Sequence, residues 1–250
     1  MKINLITGGS RGLGRSMAIN LAHAGQDSII TYHSRKKEAD EVVAEIRKLG
    51  RNAAALQLDV SAADQFDGFV AKLHKTLSEV WQRERFDHLV NNAGTGLSGK
   101  IGEMDDSGFD EMMNIHLRAP FFLTQKLLPV IEDGGRILNV SSGLARFSFP
   151  GRAAYAMMKG GIEVFTRYLA QELGPRRITV NVLAPGAIET DFGGGLVRDN
   201  RDVNTQLANQ TALGRVGLPD DVGVLAAAML GDGFRWVNGQ RVEAAGGFIL

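Results

Sequence analysis

A phenol and an ammonium stand four residues apart in the run Ala153-Ala154-Tyr155-Ala156-Met157-Met158-Lys159. In a helix that spacing puts both side chains on one face about one turn apart, close enough for the ammonium to favour the phenolate. A free tyrosine titrates near pH ~10, so proton exchange near neutrality needs such a neighbour. Tyr and Lys at this spacing also occur on solvated helix faces that do no chemistry, so the pair takes its meaning from what surrounds it. A second group of interest is the turn Thr7-Gly8-Gly9-Ser10-Arg11-Gly12-Leu13-Gly14. It joins an apolar run to a helical one, and glycines there let the backbone approach a pyrophosphate and aim a helix N-terminus at it. Tight turns use glycine without binding anything, but a turn that opens the chain between a strand and a helix, with a second strand at Rossmann distance, points to a nucleotide.

The elements that must position these groups follow from hydrophobic periodicity. Short apolar runs at 3–7, 28–32, 53–58, 88–91, 136–140 and 179–183 mark strands, and amphipathic stretches at 15–24, 36–49 and 66–83 have the length of crossover helices. The pattern predicts an α/β fold, a doubly wound Rossmann fold whose central parallel sheet of about seven strands carries helices on both faces. Two longer apolar helices, 112–130 and 155–173, are expected to pack on each other or on another subunit. Residues 190–212 hold Gly193-Gly194-Gly195 among many polar residues and read as irregular, a lid near the chemistry. With no internal repeat, low-complexity tract or proline-rich linker, residues 1–250 are expected to form a single domain.

Composition narrows the ligands. Lys+Arg and Asp+Glu both number 28, so no bulk field draws the protein to nucleic acid or an anionic membrane, and small molecules are the expected ligands. There is no cysteine, which removes thiol nucleophiles, disulfides and Cys-type zinc sites. The N-terminus lacks an apolar h-region and no run approaches the ~20 residues of a membrane span, so a soluble, cytoplasmic protein is expected. The five histidines are scattered outside any metal-ligand pattern, and no metal is expected. Asp220-Asp221 follows Pro219 and precedes an apolar helix, which is capping chemistry. A Ser-His-Asp hydrolase fits poorly, because no Gly-x-Ser-x-Gly elbow occurs and His116 is the last histidine.

Charge at the end of the second strand discriminates between dinucleotides, since NAD binders present an acid there to the ribose 2′-hydroxyl. Here the segment is Thr31-Tyr32-His33-Ser34-Arg35-Lys36-Lys37, with no carboxylate until Glu38. A 2′-phosphate would be received by Arg35 and by Arg11, with hydrogen bonds from Ser10 and Ser34. NADP(H) is therefore preferred, with NAD(H) the alternative. The same basic residues would also serve as the solvated start of the next helix.

At this point the chain resembles the short-chain dehydrogenases/reductases in their simple single-domain form, similar to 3-oxoacyl-[acyl-carrier-protein] reductases. The match runs over nearly the whole chain: Thr7 to Gly14 as the dinucleotide turn, Asn91-Asn92-Ala93-Gly94, Asn114 in a helix, Ser141-Ser142 at a strand end, Tyr155-x-x-x-Lys159, and Pro185-Gly186 with Thr190. The resemblance implies that Gly8, Ser10, Arg11, Gly12, Leu13 and Gly14 cradle the cofactor. His33, Ser34 and Arg35 then lie at the adenosine ribose, and Asp59 and Val60 at the adenine. Asn91, Ala93 and Gly94 support the sheet and line the ribose, while Pro185, Gly186, Ile188 and Thr190 anchor the nicotinamide end. It implies a catalytic set of Asn114, Ser142, Tyr155 and Lys159. Only one of two successive strand residues can face the cofactor. The family places its serine 13 residues before the tyrosine, and 155 − 142 = 13, so Ser142 is chosen and Ser141 is expected to cap backbone.

The implied reaction moves hydride between nicotinamide and a carbonyl carbon, with Tyr155 as acid in reduction and base in oxidation. Ser142 would hold the substrate oxygen, Lys159 the nicotinamide ribose, and Asn114 a water that reconnects Lys159 to solvent. The substrate pocket is expected from 95–101, from 144–150 with Phe147 and Phe149, and from the lid, with Arg146, Arg152 and Arg198 nearby. A ketone or 3-oxoacyl reductase ranks first. A sugar or polyol dehydrogenase and a non-catalytic dinucleotide sensor are the alternatives, and the full set of four argues against the sensor. An acyl carrier protein partner would call for a basic patch, and only scattered arginines are visible. The resemblance further implies a homotetramer, with the apolar end Phe248-Ile249-Leu250 buried.

Overall fold

The computed structural model describes residues 1–250. Seven strands form one parallel sheet: β1 (Ile3–Ile6), β2 (Asp27–Tyr32), β3 (Ala53–Gln57), β4 (Phe86–Asn91), β5 (Ile131–Val140), β6 (Thr179–Pro185) and β7 (Arg241–Ala244). Their spatial order is β3-β2-β1-β4-β5-β6-β7. The order reverses between β1 and β4, and at such a switch point a crevice opens beyond the carboxyl ends of the strands. The glycine turn leaves β1 and the Asn91-Asn92-Ala93-Gly94 segment leaves β4, so both arrive at that crevice.

Strand alternation sends successive residues into two separate cores. Ile3, Leu5, Ile29, Leu89 and Ile137 pack beneath helices α3 (Phe66–Trp81), α5 (Ala119–Leu127) and α6 (Ala153–Glu172). Ile6, Ile30, Val90 and Leu138 pack on the other face beneath α1 (Gly12–His23), α2 (Lys36–Lys48) and α9 (Pro219–Met229). Both faces of each central strand are covered, which is why these strands read as near-continuous apolar runs rather than as alternating ones.

Two expected elements differ from the sequence reading. The helix expected at 112–130 begins earlier, as α4 (Asp106–Met113), passes through a π turn at Asn114–Arg118, continues as α5 and ends in a 3₁₀ turn. Asp105 starts it by accepting the Gly108 backbone N–H at 2.7 Å, a cap that the apolar periodicity does not reveal. The stretch 190–212, expected to be irregular, is largely helical: a 3₁₀ turn at Phe192–Gly195, then α7 (Leu196–Asp199) and α8 (Arg201–Asn209). Asn200 caps α8 by accepting from the N–H groups of Asp202 and Val203, both at 3.1 Å. The three glycines adopt positive φ and form the break before α7 rather than an extended loop.

Candidate active site

The glycine turn is locked to the end of β4 by side chains on both sides. Thr7 Oγ1 donates to the Val90 carbonyl at 3.3 Å and accepts from the backbone N–H groups of Asn92 and Ala93 at 3.0 Å each. Asn92 Nδ2 donates in return to the carbonyls of Thr7 at 2.8 Å and Gly8 at 3.2 Å. Gly8 sits at φ 68°, and its N–H reaches Thr31 Oγ1 at 3.2 Å. A Cβ on Gly14 would fall on the Gly8 carbonyl oxygen and lie 2.7 Å from Asn92 Nδ2. The first turn of α1 is therefore pressed against the loop, and no side chain caps its N-terminal N–H groups.

One cleft of about 910 Å³ extends from this turn across the carboxyl edge of the sheet. At one end it is lined by His33, Ser34, Arg35, Asp59 and Val60, all five expected there. Their polar groups are already engaged. Arg35 pairs with Glu38 at 3.0 Å, His33 with Asp59 at 3.5 Å, and Arg11 reaches across to Asp191 at 3.2 Å. Asp59 also accepts from the Ser61 N–H and hydroxyl at 2.9 and 2.7 Å. Gly8, Ser10, Arg11, Gly12, Leu13, Gly14, Ala93, Gly94, Pro185, Gly186, Ile188 and Thr190 line the middle. Thr190 lies opposite Gly12, where an added Cβ would touch its side chain at 3.7 Å.

Tyr155, Ser142 and Lys159 line the same cleft. Tyr155 is 8% exposed and Lys159 5%. Burial raises the Tyr155 phenol above its ordinary value, and the Ser142 hydroxyl and the Arg152 charge oppose that rise. Burial pulls the Lys159 ammonium down to about 8. Its Nζ donates to the Val140 carbonyl at 2.8 Å and lies 5.5 Å from the centroid of the Tyr155 ring. The ammonium lies over the ring face, and burial outweighs the neighbouring charges in holding the phenol protonated. Ser142 is extended, its Oγ accepting the Leu144 N–H at 3.2 Å. Ser141 also borders the cleft, but its hydroxyl is taken up by α6, donating to Glu163 at 2.7 Å and to the Lys159 carbonyl at 3.3 Å.

Asn91 and Asn114 lie elsewhere. Asn91, expected at the ribose, points into the sheet and donates to Asn139 at 2.8 Å and Thr124 at 3.1 Å, because alternation gives the cleft to Asn92. Asn114 opens the π turn, half-buried, and is not among the cleft residues; the Ala119 N–H donates to its carbonyl across that turn. One residue beside Tyr155 escapes the sequence reading, and a second comes from the segment expected to line the pocket. His116 is buried in the π turn and meets Tyr155 edge to face with centroids 5.1 Å apart. One of its nitrogens lies 2.7 Å from the Thr95 carbonyl, and burial, followed by the Lys159 charge, lowers it to about 3. Phe192, at the start of the lid, lies 5.7 Å from the Tyr155 ring. The far wall is aromatic: Phe147 and Phe248 meet at 5.0 Å, and Phe149 stacks on Phe248 at 6.0 Å.

This arrangement, a nucleotide-shaped turn sharing one cleft with a buried phenol, a serine hydroxyl and an apolar wall, has counterparts among known proteins. A family model described as enoyl-(acyl carrier protein) reductase matches residues 8–249. The chain is 35% identical over 259 residues to tetrahydroxynaphthalene reductase PfmaG of Pestalotiopsis fici, covering 99% of this chain and 91% of the relative. It superposes on the promiscuous reductase LugOII, which catalyses keto-reduction at C1 during lugdunomycin biosynthesis, with a TM-score of 0.94 and 36% identity over 100% of this chain and 98% of that one. The angucycline C-6 ketoreductase LanV with bound NADP gives a TM-score of 0.94 at 35% identity, with 99% and 95% covered. No helix is long and apolar enough to cross a membrane. With the motifs in order, the sheet in register and the relatives matched from end to end, the chain belongs to the short-chain dehydrogenase/reductase family and is an oxidoreductase of carbonyl and hydroxyl groups.

Proposed function

We propose that the protein reduces a ketone on an aromatic, fused-ring substrate with NADP(H), and that Tyr155 is its proton donor. One observation carries this reading: Tyr155 and Ser142 face a cleft that runs past the glycine turn on one side of them and is closed on the other by the wall of Phe147, Phe149, Phe192 and Phe248. That wall offers flat rings a stacking surface and offers a polyol few hydrogen-bond partners, which favours an aromatic ketone over a sugar. The relatives named for hydroxynaphthalene and angucycline substrates point the same way.

The residues present fit a dinucleotide phosphate. The turn is packed tightly by Gly8 against Ala93 and by Gly14 against the Gly8 carbonyl, and the first turn of α1 that it aims into the cleft is uncapped, free to receive a pyrophosphate. No carboxylate stands at the end of β2, so Arg11, Ser34 and Arg35 would receive the 2′-phosphate. The pairs that hold Arg11 and Arg35 are half-exposed and screened by solvent, so they hold these side chains only weakly. A phosphate offers about 1.5–3 kcal/mol per charge-assisted bond and displaces them. Bound, NADP(H) supplies the hydride to the carbonyl carbon. Ser142 donates a hydrogen bond to the substrate oxygen and holds it within reach of Tyr155. Tyr155 gives its proton to that oxygen in reduction and takes it back in oxidation. Lys159 binds the nicotinamide ribose and, while cationic, stabilises the phenolate that remains. Asn114 supports the route by which Lys159 regains a proton from solvent, a role carried by the resemblance.

Tyr155→Phe should abolish turnover of 2-tetralone while NADPH still binds; wild-type-like turnover would remove the central claim. Dissociation constants for NADPH and NADH check the cofactor, and a tighter NADH complex would overturn it. We further propose one catalytic domain with a lid at 190–212, acting in the cytoplasm as a homotetramer. Phe121 and Phe122 on α5 and Val164 and Tyr168 on α6 are exposed at 38–67% and form an apolar face that association would cover. Sedimentation at working concentration checks this, and a lone monomer would contradict it.

A further inference from the structure

Three arginines line the cleft. Two are engaged: Arg11 with Asp191 and Arg35 with Glu38. The third, Arg152, stands three residues before Tyr155 in the segment that joins β5 to α6, half-buried among Phe149, Pro150 and Tyr155. Its guanidinium has no carboxylate partner, no hydrogen bond and no aromatic ring beneath it, whereas Arg146 nearby is held bidentate by Glu243 at 2.9 and 3.0 Å and lies over Phe147. Glu111, exposed on α4, lines the cleft as well and forms no ion pair with Arg152. The arginine charge cannot be removed near neutrality, and five donors in a planar fork beside an apolar wall are left to solvent. The fork points to a partner that enters with the ligand, and it is close enough to the chemistry for its charge to act on the Tyr155 hydroxyl.

We propose that Arg152 is the anchor for a carboxylate carried by the aromatic ketone, so that the preferred substrate is an aryl keto acid whose acidic group docks beside the reacting carbonyl. This rests on the ketone-reductase reading above. A carboxylate suits the site better than a phenol does. It is ionised at neutral pH, whereas a phenol with a pKa near ~10 is not, and its two oxygens match the guanidinium fork. The aromatic wall supplies the stacking area for the rings, and Arg152 fixes which edge of them turns toward Tyr155 and Ser142. It is a specificity residue: it selects and orients the substrate and takes no part in proton or hydride transfer.

The test uses two matched pairs of compounds on the enzyme saturated with cofactor. With NADP⁺ present, 2-naphthoate is titrated against 2-naphthamide, which has the same shape without the charge. With NADPH, kcat/KM is measured for the carboxylate of 1-tetralone and for its carboxamide. The carboxylate should be favoured roughly 10- to 100-fold in each pair, from one charge-assisted bidentate contact. Arg152→Gln should remove that preference and Arg152→Lys restore part of it, the readout being the ratio within each pair. Equal binding of naphthoate and naphthamide in the wild type, no binding of either, or a ratio unchanged in Arg152→Gln overturns the anchor. Turnover of both tetralones without preference overturns the anchor and leaves the reductase intact. Selective naphthoate binding lost in Arg152→Gln, with no tetralone reduced, supports the anchor and overturns the reductase.

Discussion

Lowering the pH from 7 to 5 should remove about 4 kcal/mol of folding stability, before the carboxylate pairs of the surface are protonated. The source is two histidines that the fold keeps neutral. His88 is 0% exposed in β4, where its Nδ1 accepts the Arg136 N–H at 3.1 Å and its Nε2 has no partner. Burial, followed by the Arg136 charge, lowers its pKa to about 4. His116 is 1% exposed, and burial followed by the Lys159 charge lowers it to about 3. In the unfolded chain a histidine titrates near ~6.5. A folded pKa below the unfolded one means that the unfolded state binds more protons throughout the window between them, so stability rises with pH there and is lost as pH falls. Integrated from pH 7 to pH 5, each histidine contributes roughly 2 kcal/mol, against a typical total of about 5–15 kcal/mol. Asp87 and Asp221 are held below the ordinary carboxylate value by Arg83 and Arg215, so their protonation adds to the loss only at more acidic pH.

Urea denaturation at half-unit steps between pH 7 and pH 5 measures the slope directly. The single variants His88→Leu and His116→Leu should each lose about half of it, and the double variant should be nearly flat, whatever its absolute stability. A wild-type curve without slope, or a double variant that keeps the full slope, would refute the reasoning. His116 also ties the titration to the site: a cation there would stand beside Tyr155 and repel Lys159.

Gly14→Ala places a methyl on the Gly8 carbonyl oxygen, a rigid neighbour, so it should cost about 1–3 kcal/mol in thermal unfolding and weaken NADPH binding more than tenfold. Asp191→Asn frees Arg11 from an exposed ion pair and should tighten NADPH binding about two- to fivefold by isothermal titration; weaker binding would show that the pair holds Arg11 in place instead. Asn91 and Asn139 share a buried bond at 2.8 Å, and Asn139 in turn donates to Thr166 at 2.9 Å. Asn91→Ala should destabilise by about 1–3 kcal/mol, and a double-mutant cycle with Asn139→Ala should show a coupling of about 0.5–3 kcal/mol, with NADPH affinity nearly unchanged.

Most of the sheet is legible in the sequence because a buried parallel strand flanked by crossover helices leaves an unmistakable run, as at β1, β2 and β4. β7 is the exception. Arg241–Ala244 is half-buried at every position, and its only apolar signal is Val242 and Ala244. The helical lid is illegible for a related reason: α8 has no buried residue and is held by the Asn200 cap and by Asn204, which bonds Glu189 at 2.8 Å and the Val197 carbonyl at 2.9 Å. The π turn has no sequence signature in periodicity, since one extra residue per turn shifts the apolar phase only locally; it is what turns His116 inward beneath Tyr155. Asn91 and Asn92 could have been separated beforehand. The alternation that lets only one of Ser141 and Ser142 face the cofactor applies equally at the end of β4, and the register there pairs Asn91 with Asn139.

The reacting groups hang between two polar frameworks that differ in what they constrain. On one side Thr7 and Asn92 tie the glycine turn to the end of β4 through part-buried bonds between their side chains and the backbone, so the nucleotide end is coupled to the sheet edge. On the other, Arg241 donates to Glu163 at 2.7 Å, to Glu243 at 2.6 Å and to the Ser142 carbonyl at 3.3 Å, while Glu163 also accepts from Ser141. Arg146 closes the circuit through Glu243 and the Phe248 carbonyl at 3.4 Å. A strand with almost no hydrophobic signal thereby holds both Ser142, the serine proposed to meet the substrate oxygen, and Phe248, which walls the cleft. The segment 190–212, proposed above as a lid, is tied down separately, by Asn204 on Glu189 at 2.8 Å and by the half-exposed pairs of Asp191 with Arg11 and Arg198.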